Sequence, residues 1–244
     1  MADKKEQTTR RLIIFLIEEM RSGKYKNART LPAESVLAAE LGISRVTLRE
    51  ALIILEYEGW IARKHGIGTI INRNVVDEQR RLDTTQGLMT MIRVNGKTPR
   101  RETLSIEKVP ADVFLAETLG IRTGDMLIKF VLKFYADEQP SVYCVDYVPC
   151  AVLGNVTITE EDYAGDFFDF ARKHRLSDAL DTYASKLHLS PITPEIADIM
   201  GVPKTCVGIR MEEIGYDVYT KPISYTEQFY LDTDMTHVII RKAF

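Results

Sequence analysis

The chain has 244 residues, of which 45% are hydrophobic and 27% charged, and its formal net charge is -3 at pH 7. This length favours two domains, and the composition excludes a disordered, collagen-like or disulfide-scaffold protein. No apolar run approaches the ~20 residues that a membrane-spanning helix needs, and the N-terminal segment lacks a signal-peptide cleavage site. Three cysteines in no paired spacing indicate a soluble protein of the reducing cytoplasm, with no membrane partner.

Charge is unevenly distributed along the chain. Residues 1–74 contain 13 Lys and Arg against 9 Asp and Glu, a net of +4, and residues 75–244 contain the other 19 against 26, a net of -7. A basic N-terminal part on an acidic remainder indicates that only the N-terminal part binds a polyanion. Ordinary variation in surface charge is the alternative, and charge alone does not decide between the two.

Three helices are predicted in the basic part. The first spans about residues 7–22, where apolar side chains recur at helical spacing: Leu12, Phe15, Leu16 and Met20. The second begins near Pro32 and ends at Gly42, which readily adopts a left-handed turn. Ser44 is expected to cap the third helix, whose core face comprises Leu48, Ala51, Leu52 and Leu55.

The second and third helices, joined by a tight glycine-containing turn, form a helix-turn-helix. The segment that follows, "GWIARKHGIGTIIN", has strand-like residues on both sides of "HGIG", which predicts a hairpin. A hairpin directly behind such a helix pair is a wing. Residues 1–73 are therefore interpreted as a winged helix-turn-helix DNA-binding domain.

The third helix and the hairpin supply the side chains that are expected to contact DNA. The N-terminal half of such a helix enters the major groove, where arginine can grip phosphate or the edge of guanine. The expected contacts are Ser44, Arg45, Val46, Thr47, Arg49, Arg63, Lys64, His65 and Gly66. A solvated surface helix beside a charged hairpin is the alternative, but turn, wing and charge agree on DNA binding.

The motifs "LP-E", "LG-SR-TLREAL", "EGW" and "HG-GT" fall in one order and spacing over residues 8–72. In this respect the chain resembles the GntR family of bacterial transcription regulators. The family usually carries an arginine just after the glutamate of its second helix, and this chain has Ser35 there. The resemblance implies that Ser35 occupies a DNA-contacting position and alters the operator that is read.

Residues 74–86 are polar and charged and are predicted to be a linker. Beyond them, "LGIRTGDMLIKFVLKFYADEQPSVYCVDYVP" and "MGVPKTCVGIRMEEIGYDVYTKPISYTEQFYLD" repeat one pattern, in which a helix end is followed by two strands. Residues 87–244 are thus expected to be an antiparallel α+β domain with pseudo-twofold character. "DFFDFARKHRL" predicts one further helix between the repeats.

This second half resembles the UTRA domain of the HutC branch of GntR regulators, whose fold is related to chorismate lyase. The resemblance implies an α+β effector-binding and dimerisation domain, carried by "YADEQP", "YVP", "GYDVYTKPI" and "EQFY". Another GntR branch has an all-helical sensor that often binds metal through histidines. The strand-rich sequence and the absence of metal-ligand spacing argue against that branch, so neither a metal nor another cofactor is expected.

UTRA domains bind small molecules in a cleft of the sheet. Members that sense sugar phosphates or carboxylates carry two arginines, one residue apart, on the first strand of the first repeat. Aligned on Pro140, those positions are Leu132 and Phe134 here, so no arginine clamp for a phosphate is evident. We expect an apolar, aromatic or amine-bearing effector rather than a sugar phosphate. The candidate residues are Leu132, Phe134, Cys144, Asp146, Asp166, Phe168, Arg210, Thr226, Gln228 and Tyr230.

Two qualifications to this effector site stay open at the level of sequence. Leu132 and Phe134 are equally well explained as core residues, because an apolar strand face is more often core than a ligand wall. Arg210 in the second repeat can supply a single contact to an anion, which weakens the argument against an anionic effector.

Together these features predict a ligand-responsive transcription regulator, a repressor in most members of the family. Two chains are expected to bind double-stranded operator DNA with an inverted repeat, because the protein's twofold symmetry mirrors that of the operator. A chorismate-lyase-like enzyme fused to a DNA-binding domain is the alternative, with Asp146 and Glu227 as an acid/base pair. The sequence shows no other convergent catalytic set, and a protein-interaction module does not explain wing and recognition helix together.

Overall fold

The computed structural model describes residues 2–84, 86–154, 158, 167–174, 176, 180–231 and 235–241. The chain forms two compact units: Met1–Asp83 with Val238–Phe244, and Thr84–His237. Within the described residues, no helix has both the length and the apolar character needed to cross a membrane.

The first unit combines helices with a small sheet. Its elements are α1 (Ala2–Arg21), β1 (Thr30–Leu31), α2 (Glu34–Glu40), α3 (Arg45–Tyr57), β2 (Ile61–Lys64), β3 (Gly68–Ile71) and α4 (Arg73–Val76). The sheet is antiparallel in the order β1-β3-β2, so the predicted hairpin is present. The sequence did not reveal β1, because a strand of two residues has no periodicity.

Helix α1 buries one face against the core of the first unit. Leu12, Leu16 and Met20 are buried at a spacing of four residues, which places them on one side of a helix. Phe15 was expected on the same side but is exposed. The apolar stripe is therefore narrower than the sequence pattern indicates.

The turn into α3 has the conformation that the sequence predicts. Gly42 adopts a positive φ of 63°, and the Thr47 amide donates a hydrogen bond of 3.1 Å to the Ser44 hydroxyl oxygen. Ser44 thus satisfies one of the unpaired amides at the helix N-terminus. On the inner side, Leu48, Ala51, Leu52 and Leu55 are all buried.

Replacing Ser44 with alanine is expected to destabilise the chain by about 1 kcal/mol, because the Thr47 amide loses its acceptor. Urea denaturation followed by circular dichroism measures this loss. Ser35→Ala is the matched control, since Ser35 is exposed and caps no helix. Equal stability of the Ser44→Ala and Ser35→Ala variants would show that the cap contributes nothing.

The segment after the wing packs within the first unit, although residues 74–86 were expected to form a linker. Val75 and Val76 are buried in its core. The Arg73 guanidinium donates hydrogen bonds to the carbonyls of Met20, Tyr25 and Ala28, at 2.7, 2.5 and 2.8 Å. The polar composition hides this packing, because arginine here bonds backbone carbonyls rather than water.

Residues 80–83 of that segment meet the C-terminal end of the chain. Arg81 is almost completely buried, with its guanidinium 4.9 Å from the centroid of the Trp60 ring and an ion pair of 2.8 Å to Asp83. Val238 forms a parallel bridge with Arg81, and Ile240 packs against the core. Residues 238–241, which were expected in the second domain, therefore belong to the first unit.

The second unit is built on one large sheet with helices. Its elements are α5 (Leu88–Val94), β4 (Pro99–Pro110), α6 (Val113–Leu119), β5 (Met126–Ala136), β6 (Gln139–Pro149), α7 (Cys150–Leu153), α8 (Phe167–Lys173), β7 (Leu180–Pro191), α9 (Pro194–Met200), β8 (Val207–Asp217) and β9 (Pro222–Tyr230). All strand pairs are antiparallel, in the order β4-β5-β6-β9-β8-β7. This order is symmetric about the β6–β9 pair, which confirms the predicted α+β fold.

Each repeat comprises a long strand, a short helix and a hairpin. Asp112 caps α6 and Thr193 caps α9, each accepting a bond from the amide three residues later. Gly120 and Gly201 end these helices at φ values of 61° and 67°, a conformation that favours glycine. In the sequence, each copy of the repeat was recognised only from its short helix onward. The long strand that begins each copy, β4 or β7, comes before that helix and was therefore not recognised.

The two faces of the large sheet are covered differently. On one face, which we call the α6/α9 face, α6 packs near Tyr225 and α9 near Phe229. On the other, which we call the α8 face, Phe170 of α8 contacts Phe130 of β5 with ring centroids 4.9 Å apart. Helix α8 is the additional helix that the sequence predicts between the repeats.

Candidate DNA-binding and effector-binding sites

The outward side of α3 presents a cation and an apolar side chain at its N-terminal end. Arg45 is exposed and has no hydrogen bond or ion pair with any described residue. Val46 beside it is 63% exposed. Because the inner side of α3 is fixed by the core, these side chains point away from the unit, where a groove of DNA can receive them.

Two other arginines of the predicted DNA surface are already paired with carboxylates. Arg49 donates to Glu34 at 2.8 and 3.1 Å, and Arg63 binds Glu56 at 2.6 Å and reaches Glu34 at 4.0 Å. Exposed ion pairs contribute at most about 1 kcal/mol, so a phosphate can compete for these arginines. Glu34 orients Arg49 while it lowers the local positive charge.

The wing turns through two glycines. Gly66 and Gly68 have φ values of 78° and 101°, so the tip requires residues without a Cβ atom. Lys64 and His65 are exposed next to them, as is Ile67 between the glycines. Ile67 was not among the predicted contacts, although its place in "HGIG" is the signal that locates it at the wing tip.

The remaining predicted DNA-contacting residues are hydroxyl residues near the start of α2 and α3. Ser35 is exposed in the first turn of α2. Ser44 and Thr47 lie 2.8 Å apart between their hydroxyl oxygens, so both hydroxyls stand at the N-terminus of α3. The structure thus brings the predicted set together on α2, α3 and the wing of one unit.

Most of the predicted effector residues share the α8 face of the sheet. Cross-strand register pairs Leu132 with Cys144 and Cys144 with Gln228. It also pairs Asp146 with Thr226. Directly paired residues lie on the same face, so residues of β5, β6 and β9 converge there. All of the following are buried: Leu132, Phe134, Cys144, Asp146, Thr226, Gln228 and Tyr230.

Leu132 and Phe134 are completely buried. This burial supports the alternative that they are core residues. Asp146, Thr226 and Gln228 are also buried but are polar. Core packing alone does not explain their burial, because a buried polar group needs a specific partner.

A polar cluster extends from Asp146 across the α8 face. The Thr226 hydroxyl donates to Asp146 at 2.6 Å, and the Ser185 hydroxyl donates to Glu213 at 2.6 Å. Burial raises the pKa of Glu213, and the negative charge of Asp146 raises it further. Burial also holds the pKa of Tyr230 well above its ordinary value, so its hydroxyl stays protonated and donates to the Gln228 side-chain oxygen.

Arg210 does not lie with the other candidates. It pairs with Phe229 in the register and therefore projects from the α6/α9 face. There it binds Glu227 and Glu212, each at 2.6 Å. An anion on the α8 face cannot reach this guanidinium, because the sheet lies between them.

Two further candidates are not placed on either face. Asp166 lies outside the described residues, and Phe168 belongs to α8 but its side chain is outside them as well. Their predicted contact with an effector stays a prediction.

Sequence reasoning missed polar residues that other strands contribute to the α8 face. Arg101 of β4 pairs with Phe134, Glu213 of β8 pairs with Thr226, and Ser185 of β7 pairs with Glu213. Arg101 matters because the argument against an anionic effector considered the cations of β5 and not those of β4. The alternation of β9 in the sequence places Ser224 on the face of Thr226, and the register agrees by pairing Ser224 with Gly215, two residues from Glu213.

A winged helix with an outward cation, joined to a sheet unit with a buried polar face, defines a ligand-responsive DNA-binding transcription regulator. Residues 8–71 match the model of bacterial regulatory proteins of the gntR family, and residues 94–235 match the UTRA domain. The chain therefore belongs to the GntR family of regulators that carry a UTRA domain.

Individual relatives agree with this assignment. The chain is 28% identical over 135 residues to the uncharacterized HTH-type transcriptional regulator YurK of Bacillus subtilis, covering 55% of each chain. It is 24% identical over 189 residues to the HTH-type transcriptional repressor NagR of Bacillus subtilis, covering 76% of this chain and 74% of NagR. It thus spans about half of the first relative and three-quarters of the second.

The fold also matches a solved structure. The crystal structure of YydK from Bacillus subtilis, described as a possible transcriptional regulator, superimposes with a TM-score of 0.77. The match covers 95% of this chain and all of YydK, at 18% sequence identity. At that identity the similarity concerns the fold alone.

Proposed function

We propose that this chain is a cytoplasmic repressor of the HutC branch that binds an inverted-repeat operator as a homodimer and responds to a small molecule in the UTRA domain. The observation that carries this proposal is the outward N-terminal end of α3, where Arg45 is exposed and without a partner among the described residues. A role as a repressor is supported by NagR, which bears that description.

Pairing of two chains is supported by one edge of the large sheet. Strand β7 is an outer strand of that sheet, and its Leu189 side chain is 82% exposed. A long edge strand has unpaired backbone groups that favour association with another chain. A dimer then presents two copies of α3 to the two halves of an operator.

The second unit is proposed to sense a ligand rather than to catalyse a reaction. The acid/base pair considered from the sequence was Asp146 with Glu227. Register pairs Asp146 with Thr226 and Val145 with Glu227, so the two carboxylates project from opposite faces. They cannot act on one substrate, which removes the main argument for an enzyme.

Binding of DNA is expected to fall steeply with salt. If a dimer neutralises about six phosphates, the slope of log affinity against log salt concentration is about -5. The measurement uses fluorescence anisotropy of an inverted-repeat duplex that the full-length chain has selected from a random pool. A duplex with only one half-site is expected to bind at least ~100-fold more weakly, since each good base contact contributes about 1–3 kcal/mol.

Two outcomes would contradict this function. Failure of the selection to enrich any duplex would exclude specific DNA binding. Equal affinity for the half-site and the full repeat would exclude a dimer that reads both halves.

A further inference from the structure

Glu34, the first residue of α2, contacts arginines from two other elements of the first unit. The Nε and Nη2 atoms of Arg49 in α3 donate to the same Glu34 oxygen, at 3.1 and 2.8 Å. The second oxygen of Glu34 lies 4.0 Å from Nη1 of Arg63 in β2. One carboxylate therefore lies between α3 and the wing, the two elements that are expected to contact DNA.

The arginines around Glu34 carry no surplus charge in the free protein. Arg63 has a carboxylate of its own, because its backbone amide and its Nε atom donate to Glu56 at 2.8 and 2.7 Å. Two arginines thus meet two glutamates, and their formal charges cancel. Arg45, by contrast, forms no ion pair with a described residue.

The contact with Glu34 uses only one edge of the Arg49 guanidinium. A guanidinium has five N–H donors, and Glu34 accepts one from Nε and one from Nη2. The Nη1 atom forms no hydrogen bond with any described residue, and the Arg49 side chain is 57% exposed. The outer edge, formed by Nη1 and Nη2, therefore stays available for the O6 and N7 acceptors of guanine.

A phosphate meets a different environment at Arg49 than a guanine edge does. The phosphate carries a full negative charge, and Glu34 holds a second one 2.8 Å from the same guanidinium. Like charges at such separations repel each other. If the phosphate displaces Glu34, the carboxylate stays close by, since Glu34 belongs to the first turn of α2. The guanine acceptors are neutral, so they bind the outer edge without this repulsion.

We propose that Glu34 is a specificity-determining residue of the DNA-binding unit, which positions Arg49 for a guanine edge and opposes contacts with phosphate. This inference rests on the proposed function, in which the first unit reads an operator. Glu34 acts through Arg49 and is therefore a positioning residue. Loss of its charge is expected to increase binding to any DNA and to reduce the preference for the operator.

Replacing Glu34 with glutamine tests the proposal in the full-length chain, because it removes the charge and keeps the size of the side chain. Fluorescence anisotropy compares the selected duplex with a scrambled duplex of the same length and composition. We expect Glu34→Gln to bind the scrambled duplex about 3- to 10-fold more tightly, since an anion near the phosphates is lost. Affinity for the selected duplex gains less, because Arg49 loses the partner that positions it for the base. The ratio of the two affinities is therefore expected to fall about 3- to 10-fold.

Salt dependence gives a second readout, which a purely structural role of Glu34 would not change. An arginine released from Glu34 neutralises one more phosphate. On the scrambled duplex, the slope of log affinity against log salt concentration is therefore expected to become more negative by about 1 for each chain. A carboxylate in the first turn also stabilises a helix, so the melting temperature of each variant is measured as well.

Two further variants separate the charge of Glu34 from other effects. Glu40→Gln is the matched control, because Glu40 ends the same helix and pairs with Lys24 at 2.7 Å, and it is expected to keep the wild-type ratio. Arg49→Lys retains the positive charge but removes the guanidinium edge. It is expected to weaken binding of the selected duplex by about 10- to 100-fold and that of the scrambled duplex far less.

The proposal is overturned if Glu34→Gln leaves the affinity ratio or the salt slope at its wild-type value. It is also overturned if Glu40→Gln lowers the ratio as much as Glu34→Gln, or if Arg49→Lys keeps full affinity for the selected duplex. Any of these outcomes rejects this inference alone when the wild-type chain prefers the selected duplex. A wild-type chain that binds both duplexes equally rejects the proposed function instead.

Discussion

Replacing Arg45 with alanine is expected to lower the affinity for the selected operator duplex by about 10- to 100-fold. This is the usual loss when one arginine that contacts a base edge is removed. The guanidinium of Arg45 is the cation on the outer side of α3 that forms no ion pair with a described residue. Its full charge is therefore available to phosphate or guanine, unlike that of Arg49, which binds Glu34. Fluorescence anisotropy at constant salt measures the loss.

Arg122→Ala is the matched control for the loss of one arginine. The Arg122 side chain is 91% exposed in the second unit, and its removal is expected to change operator affinity little. Unchanged affinity in Arg45→Ala, with unchanged melting temperature, would show that Arg45 does not contact the DNA. Unchanged affinity in the Arg45→Ala/Arg49→Ala double variant as well would contradict the placement of α3 in the DNA groove.

Replacing Phe134 with alanine is expected to destabilise the chain by about 3–5 kcal/mol, the usual cost of truncating a buried aromatic side chain to alanine. Phe134 is completely buried in β5, so its removal leaves a cavity that the sheet cannot fill. The free energy of unfolding from urea titration measures this loss. The outcome also decides between the two explanations of Phe134, as a core residue or as the wall of a ligand site.

Phe114→Ala is the matched control, because it removes the same side chain from a site that is 53% exposed. Phe114 contacts Tyr225 edge to face, with ring centroids 5.6 Å apart, and such a pair contributes about 1 kcal/mol. If Phe134→Ala costs no more than Phe114→Ala, the surroundings of Phe134 are not a packed core. A ligand wall would then be the better explanation.

Local features of the first unit followed directly from the sequence. The cap at Ser44, the turn at Gly42 and the buried face of α3 depend on residues at most a few positions apart. Capping and helical spacing act over that range, so one sequence is enough to identify them. The α+β class of the second unit followed from the repeat for the same reason, since each copy contains its own helix end and hairpin.

The partners of the charged side chains could not be predicted from the sequence. Arg81 belongs to the polar segment that resembled a linker, yet it is buried against Trp60. Arg73, directly before that segment, bonds backbone carbonyls. The sequence also did not show that Arg49 forms an ion pair with Glu34 and Arg63 with Glu56. Composition counts charges, but their partners are set by packing.

By itself, the sequence determined that a winged helix precedes an α+β domain, and it predicted which end of α3 is directed towards DNA. Only the tertiary structure decided which side chains meet on the large sheet. Asp146 comes from the first repeat, whereas Ser185, Glu213 and Thr226 come from three strands of the second. Arg210 lies on the other face, although it was grouped with Asp146 and Thr226. Strand alternation fixes a face only when the register is known, because a shift of one residue reverses every side chain.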